Sequence, residues 1–184
     1  MLGYGFREES LHDAVAAGVD LIAADAGSSD PGPYYLGTGK PFVGEAMTKR
    51  DLKLLVKAGY DSGAPLIIGS AGGAGGDAQV DFLVRLLKEV MAELNITRKV
   101  AVVRTELDKA VVQDALADQR IQTFETNHPL SPDDIEQSAH IVAQMGCEAY
   151  WPALRQEPDI IIGGRAWDCL LYTSDAADEV WGVD

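Results

Sequence analysis

Carboxylates and cations gather in the segments that follow four short apolar runs: Asp25 and Asp30, then Asp77, then Glu106, Asp108 and Lys109, then Arg165 and Asp168. Groups of this kind at one edge can bind a divalent cation through hard oxygen ligands. They can also divide acid and base duties toward a carbonyl substrate once burial separates their pKa values. Asp25, Asp30, Glu106, Lys109 and Arg165 are the candidate catalytic groups; Asp25 and Asp30 are the candidate metal ligands, and a divalent cation is the cofactor such a set suits. Asp77 and Asp108 border helical patterns, where capping alone accounts for an acid, and for these two the structural and functional readings weigh evenly.

Two glycine-rich stretches accompany these groups. The first, Asp25 to Gly39, is too long to be a mere connector and supplies Gly27, Ser28, Ser29 and Tyr34 as candidate substrate contacts. Tyr34 and Tyr35 are held between prolines and glycines, where they either contact a ligand or fold back over the sheet edge. The second, Gly69 to Asp77, contributes Ser70, Gly72, Gly73, Gly75, Gly76 and Asp77, and Asp168 completes the set. It lacks the Lys-Ser/Thr of a nucleotide phosphate loop and the G-x-G-x-x-G spacing of a dinucleotide fold. Two readings stay open for it: an anion held on free N–H groups at a helix start, or a tight turn whose glycines let strand and helix pack closely.

The elements that must position these residues alternate along the chain. Apolar β-rich runs at Val19–Ala24, Pro65–Gly69, Lys99–Arg104 and Pro158–Gly163 read as strands. Helices are expected over Ser10–Ala17, from an N-cap at Thr48 to about Ala58, over Ala78–Leu94 and over Lys109–Ala117. A further helix begins at Ser131, with Pro132 at its first position and His140 inside it. Strands separated by helices imply βαβ units, hence an α/β fold of three layers: a mainly parallel sheet with helices on both faces. Ligands of such sheets bind beyond the carboxyl ends of the strands, where all the candidate residues fall.

The formal net charge of −14 argues against nucleic acid or an anionic membrane surface as partner, and the substrate class expected is a small molecule. There is no signal peptide, no apolar run long enough to span a bilayer and no disulfide framework, so the cytoplasm is the expected compartment. Cys147 reads as inert packing, and His12, His128 and His140, none of which follows a strand, as structural or solvent-facing. Strand order and oligomeric state, a homo-oligomer included, are left open.

The segment Cys169-Leu-Leu-Tyr-Thr-Ser-Asp-Ala-Ala-Asp-Glu179 resembles an in-frame translation of the transposase adapter of short-read sequencing libraries. The expected organisation is therefore a partial α/β domain over 1–168 and a non-native tail over 169–184. The chain is acidic with or without that tail.

Met1-Leu-Gly-Tyr-Gly-Phe6, Ala24 to Gly37, Lys49-Arg-Asp-Leu52, Leu66 to Gly76, Asp108-Lys109 and Gly164-Arg-Ala-Trp-Asp168 together resemble the acyclic terpene utilisation family, the AtuA type. In longer relatives a strand and loop precede the Leu-Gly-Tyr-Gly-Phe segment, so the resemblance implies a fragment; Trp167 departs from the family pattern. The resemblance implies a role in the breakdown of citronellol- or geraniol-type terpenes through acyl-CoA intermediates, with carbon–carbon cleavage of a branched hydroxyacyl-CoA as one proposed step. The alternative is a non-catalytic subunit that grips acyl-CoA or a nucleotide while a partner enzyme does the chemistry.

Overall fold

A computed structural model describes residues 1–27, 32–124 and 129–167. Ser28, Ser29, Asp30, His128, Asp168 and the whole of 169–184 lie outside the described residues.

Four strands, β1 (Ile22–Asp25), β2 (Leu66–Gly69), β3 (Val100–Val103) and β4 (Ile160–Gly163), form one sheet in the order β1-β2-β4-β3. Every pairing is parallel, and the register sets Asp25 opposite Gly69 and Val103 opposite Gly163, so the carboxyl ends are level. The helices are α1 (Glu8–Ala17), α2 (Tyr34–Thr38), α3 (Glu45–Ser62), α4 (Asp77–Leu94), α5 (Lys109–Ala117), α6 (Pro132–Gln137) and α7 (Trp151–Leu154). A 3-10 turn, Cys147–Ala149, precedes α7.

Alternation along the strands divides the core in two. Ile22, Leu66, Ile68, Ile160 and Ile162 pack with Leu52, Leu55 and Val56 of α3 and with Val80, Leu83, Leu86, Leu87 and Val90 of α4. Ile67, Ala101, Val103 and Ile161 turn the other way and meet Ala149, Tyr150 and Ala153. Helical segments thus cover both faces of an all-parallel sheet, as expected for this α/β class. β4 is buried along its whole length, which suits its uninterrupted isoleucines.

The structure corrects three element boundaries. Helix α3 begins at Glu45 with Gly44 at the N-cap; Thr48 lies inside it, buried, and returns its Oγ1 proton to the Gly44 carbonyl rather than capping. The first glycine-rich stretch contains a short helix, α2, closed by Gly39 in the left-handed conformation. Helix α6 begins after Ser131 as expected, with a capping box between Ser131 and Asp134, but it stops at Gln137 and leaves His140 outside. The chain after it is extended: Leu107 N–H donates to the Ile141 carbonyl, Ala143 N–H to the Thr105 carbonyl, and Glu106 bridges Val142 antiparallel. Branched Ile141 and Val142 favour that strand-like pairing over another helical turn.

The amino-terminal stretch is fastened by one buried acid. Asp51 Oδ2 accepts the N–H groups of Gly3 at 2.7 Å and Gly5 at 3.1 Å, while Oδ1 takes the Arg50 guanidinium at 2.9 and 2.7 Å. Of the motifs quoted above, the Gly-Tyr-Gly stretch and Arg50-Asp51 are thus one hydrogen-bonded unit.

Candidate functional site at the carboxyl edge of the sheet

The second glycine turn is knotted into its neighbours. Ser70 N–H donates to the Gly164 carbonyl, Ala71 N–H to Gly163, Gly73 N–H to Ser70 and Gly75 N–H to Ala71. Ser70 itself is buried with φ of 51°, and its hydroxyl lies 3.3 Å from both the N–H and the carbonyl of Ala166. A β-carbon on Gly75 would stand 2.1 Å from the Arg165 nitrogen, and one on Gly72 2.6 Å from Gln79 Cβ. Glycine is required at those positions because backbone and side chains approach where a methyl group would be. Of the two readings left open for this turn, close packing accounts for its glycines. The N–H groups of Gly72, Ala74 and Gly76 make no hydrogen bond among the described residues.

The amino terminus of α4 is already occupied by an acid of this chain. Glu106 Oε2 accepts the Asp77 N–H at 2.7 Å, the position a bound anion would take, and its charge complements the helix dipole. Its other oxygen, Oε1, lies 2.6 Å from His140 Nδ1. Burial pushes the Glu106 carboxyl upward, but the hydrogen bonds from His140 and from Asp77 N–H outweigh it and hold the group below its ordinary value. A carboxyl depressed by folding stabilises the fold above its unfolded titration and loses that contribution as pH falls below 4.5. Asp77 is the first residue of α4, with Oδ1 3.2 Å from the Arg104 guanidinium. Asp108 caps α5 by accepting the Ala110 N–H.

Around this knot the remaining candidates are arranged unequally. Asp25 Oδ1 accepts the Gly27 N–H at 2.9 Å. A β-carbon on Gly27 would come within 2.5 Å of Ser70 Cβ and 2.9 Å of Arg165 Nη1, so the first loop leaves β1 directly against the second turn and the Arg165 guanidinium. Arg165 N–H donates to Thr105 Oγ1 at 2.7 Å, and Thr105 Oγ1 donates to the Gly75 carbonyl at 3.2 Å. Asp25, Gly27, Ser70, Gly72, Gly73, Gly75, Gly76, Glu106 and Arg165 therefore share one edge. Lys109 is engaged elsewhere: its Nζ donates at 2.5 Å to the Glu136 carbonyl in the last turn of α6. Tyr34 is exposed and meets Tyr35 edge-on at 5.2 Å, and Tyr35 in turn meets Phe42 at 5.1 Å.

Helix α2 brings the first loop back over α4: the Gln79 amide donates to the carbonyls of Tyr35 and Lys40, and a β-carbon on Gly76 would lie 3.1 Å from Leu36 Cδ1 and 3.3 Å from Glu106 Oε2. An open cavity of about 460 Å³ runs beside β1, lined by Leu2, Phe6, Leu11 and Leu55, and ends at Asp25. Behind the edge, the Tyr150 hydroxyl is buried against Gly163 without a hydrogen-bond partner among the described residues, and burial together with the Asp25 charge pushes its pKa up to about 12. Among the described residues no cluster of three or more His, Cys, Asp or Glu is arranged to hold a metal ion.

The His140–Glu106 pair was missed by sequence reasoning. The sequence pattern sets His140 inside a helix, and its partner lies 34 residues away on a loop that only the tertiary pairing brings alongside. No local spacing signals it. The extended segment has its own signature in the paired β-branched residues Ile141 and Val142.

The chain is an α/β domain with glycine turns and ionisable side chains beyond the carboxyl ends of an all-parallel sheet. The model of the family described as acyclic terpene utilisation family protein AtuA matches residues 51–181, and the chain belongs to that family. The match includes the second turn, Glu106, His140 and Arg165; the first loop lies before it, and its end reaches past Asp168 into the segment read as adapter-derived. No curated protein and no solved structure matches the chain. Among the described residues no helix is long and apolar enough to cross a membrane.

Proposed function

We propose that this chain forms part of a lyase that cleaves a carbon–carbon bond in a branched hydroxyacyl-CoA during acyclic terpene catabolism. One observation supports it: a largely apolar groove along β1 includes Asp25 at the carboxyl end of that strand, and Gly27, two residues on, lies against Ser70 and the Arg165 guanidinium. A hydrocarbon tail suits Leu2, Phe6, Leu11 and Leu55, and a polar acyl head suits the edge. In the reaction the hydroxyl proton at C3 is removed, the C2–C3 bond breaks to leave a carbonyl at C3, and the thioester enolate at C2 takes up a proton. Arg165 and the unspent N–H groups of the second turn are suited to the enolate oxygen, with or without a divalent cation held by Asp25.

The experiment is turnover of a branched 3-hydroxyacyl-CoA, followed by mass spectrometry, with Mg²⁺ and with chelator. Arg165→Ala is expected to lower kcat/KM about 100-fold, on the scale of losing an oxyanion donor. Binding of the thioester by the unaltered chain without any product would instead make it the binding subunit of a partner enzyme.

A further inference from the structure

We propose that His140 is the proton-transfer residue of this edge and that Glu106 positions it: the carboxylate holds the imidazole by Nδ1–H and leaves the Nε2 lone pair to accept a proton. The identity of the substrate, a hydroxyacyl thioester, rests on the function proposed above; the pair itself does not.

The geometry is that of an oriented base. Nδ1 and Oε1 are 2.6 Å apart, with His140 32% and Glu106 21% exposed, so the pair is sheltered yet reachable. The second carboxylate oxygen is fixed by Asp77 N–H, which leaves the acid acceptor-only and fixes the imidazole tautomer. The backbone immediately after His140 is held by the pairing of 141–143 with 105–107, so the ring stands one residue before a strand-like segment. His140 Nε2 makes no hydrogen bond among the described residues. The other charges nearby are engaged: Arg104 with Asp77 and Asp81, and Lys109 with the Glu136 carbonyl. Gly76 lies between the carboxylate and α2: a β-carbon there would be 3.3 Å from Glu106 Oε2 and 3.1 Å from Leu36 Cδ1 of α2.

In the proposed reaction Nε2 takes the C3 hydroxyl proton as the C2–C3 bond breaks, and the bonding electrons pass to the thioester enolate. The imidazolium returns the same proton to C2. A ketone and a shortened acyl-CoA leave, and the imidazole is regenerated with no further reactant.

The test labels imidazoles of the unaltered chain with diethyl pyrocarbonate and reads each histidine by mass spectrometry. The oriented imidazole of His140 is expected to react about 10-fold faster than that of His12, which is 71% exposed on α1, 3.8 Å from Glu8, and serves as the surface reference. Glu106→Gln, which keeps an acceptor for Asp77 N–H, is expected to abolish that excess. His140→Gln is expected to lower kcat for the hydroxyacyl-CoA at least 100-fold with KM within about 3-fold, and Glu106→Gln to lower kcat by 10-fold or more. Labelling of His140 no faster than His12, or an excess that survives Glu106→Gln, overturns the proposal. Turnover by folded His140→Gln at the unaltered rate also overturns it while leaving the lyase reading intact. An unaltered chain inert toward the thioester ends the lyase reading, and the labelling, which needs no substrate, still decides the role of His140.

Discussion

The two glycine-rich stretches look alike in sequence and are opposite in structure. In the second turn, Gly72, Gly73 and Gly75 each have a positive φ and stand where a β-carbon would meet another residue at 2.7 Å or less. In the first, a β-carbon on Gly32 or Gly37 would meet nothing within 4 Å, and Tyr34 beside them is exposed. Glycine is demanded by packing in the one case and, at Gly32 and Gly37, by no contact in the other. Gly27, where the two stretches touch, belongs with the packed kind. The consequence for function is that the second turn is a rigid floor, whereas the first is the part of the edge with room to meet a ligand.

The largest expected effect tests the floor. Gly75→Ala would set a methyl group 2.1 Å from the Arg165 backbone nitrogen at a φ of 75°, so β2 and β4 would have to part. A loss of roughly 4 kcal/mol or more is expected, combining overpacking with backbone strain. An unfolding free energy from denaturant titration within about 1 kcal/mol of the unaltered chain would break the distinction.

Gly27→Ala probes the seam. Its β-carbon would meet Ser70 Cβ at 2.5 Å, a buried neighbour with little freedom, and the Arg165 guanidinium at 2.9 Å, which can move. About 2 kcal/mol is expected, because one of the two clashes is relieved by a flexible side chain. Thermal unfolding with and without the companion change Ser70→Gly separates them: the double variant should recover part of the loss if Ser70 is the hard contact.

These contrasts also define what the residues alone could reveal. The strand runs, the α4 and α5 spans and the Ser131 cap are legible because periodicity and capping are local signals. The carboxyl-edge location is legible too, because it follows from the βα order rather than from any distance. Two things were not. Thr48 looks like a cap wherever it stands, and only the backbone shows Gly44 in that role. His140 becomes chemically interesting only through Glu106, a pairing made by tertiary contact. Likewise Lys109 follows β3 as an edge group should, yet the end of α6 offers it a carbonyl. The glycines were ambiguous for the same reason, since a residue without a side chain carries no record of what surrounds it.

A smaller effect is expected just behind the floor. Tyr150 presses its buried hydroxyl, unpartnered among the described residues, against Gly163. Tyr150→Phe keeps the ring and removes the unsatisfied group, so stability should rise by about 1 kcal/mol. A loss of stability would mean that the hydroxyl is bonded in solution.

The smallest effect sharpens the contrast most, because it predicts a change of opposite sign to Gly75→Ala from the same substitution. Gly37 lies within α2, has no neighbour where a β-carbon would go, and is free of the positive φ that marks Gly32 and Gly39. Alanine there limits the unfolded chain more than the folded one and favours the helix, so a gain of roughly 0.5 kcal/mol is expected. If Gly37→Ala leaves stability unchanged or higher but weakens thioester binding, the open space beside it is where the ligand sits. If both are unchanged, the ligand-facing part of the first loop is confined to the residues between Asp25 and α2, and α2 serves to cover Gly76 and Glu106.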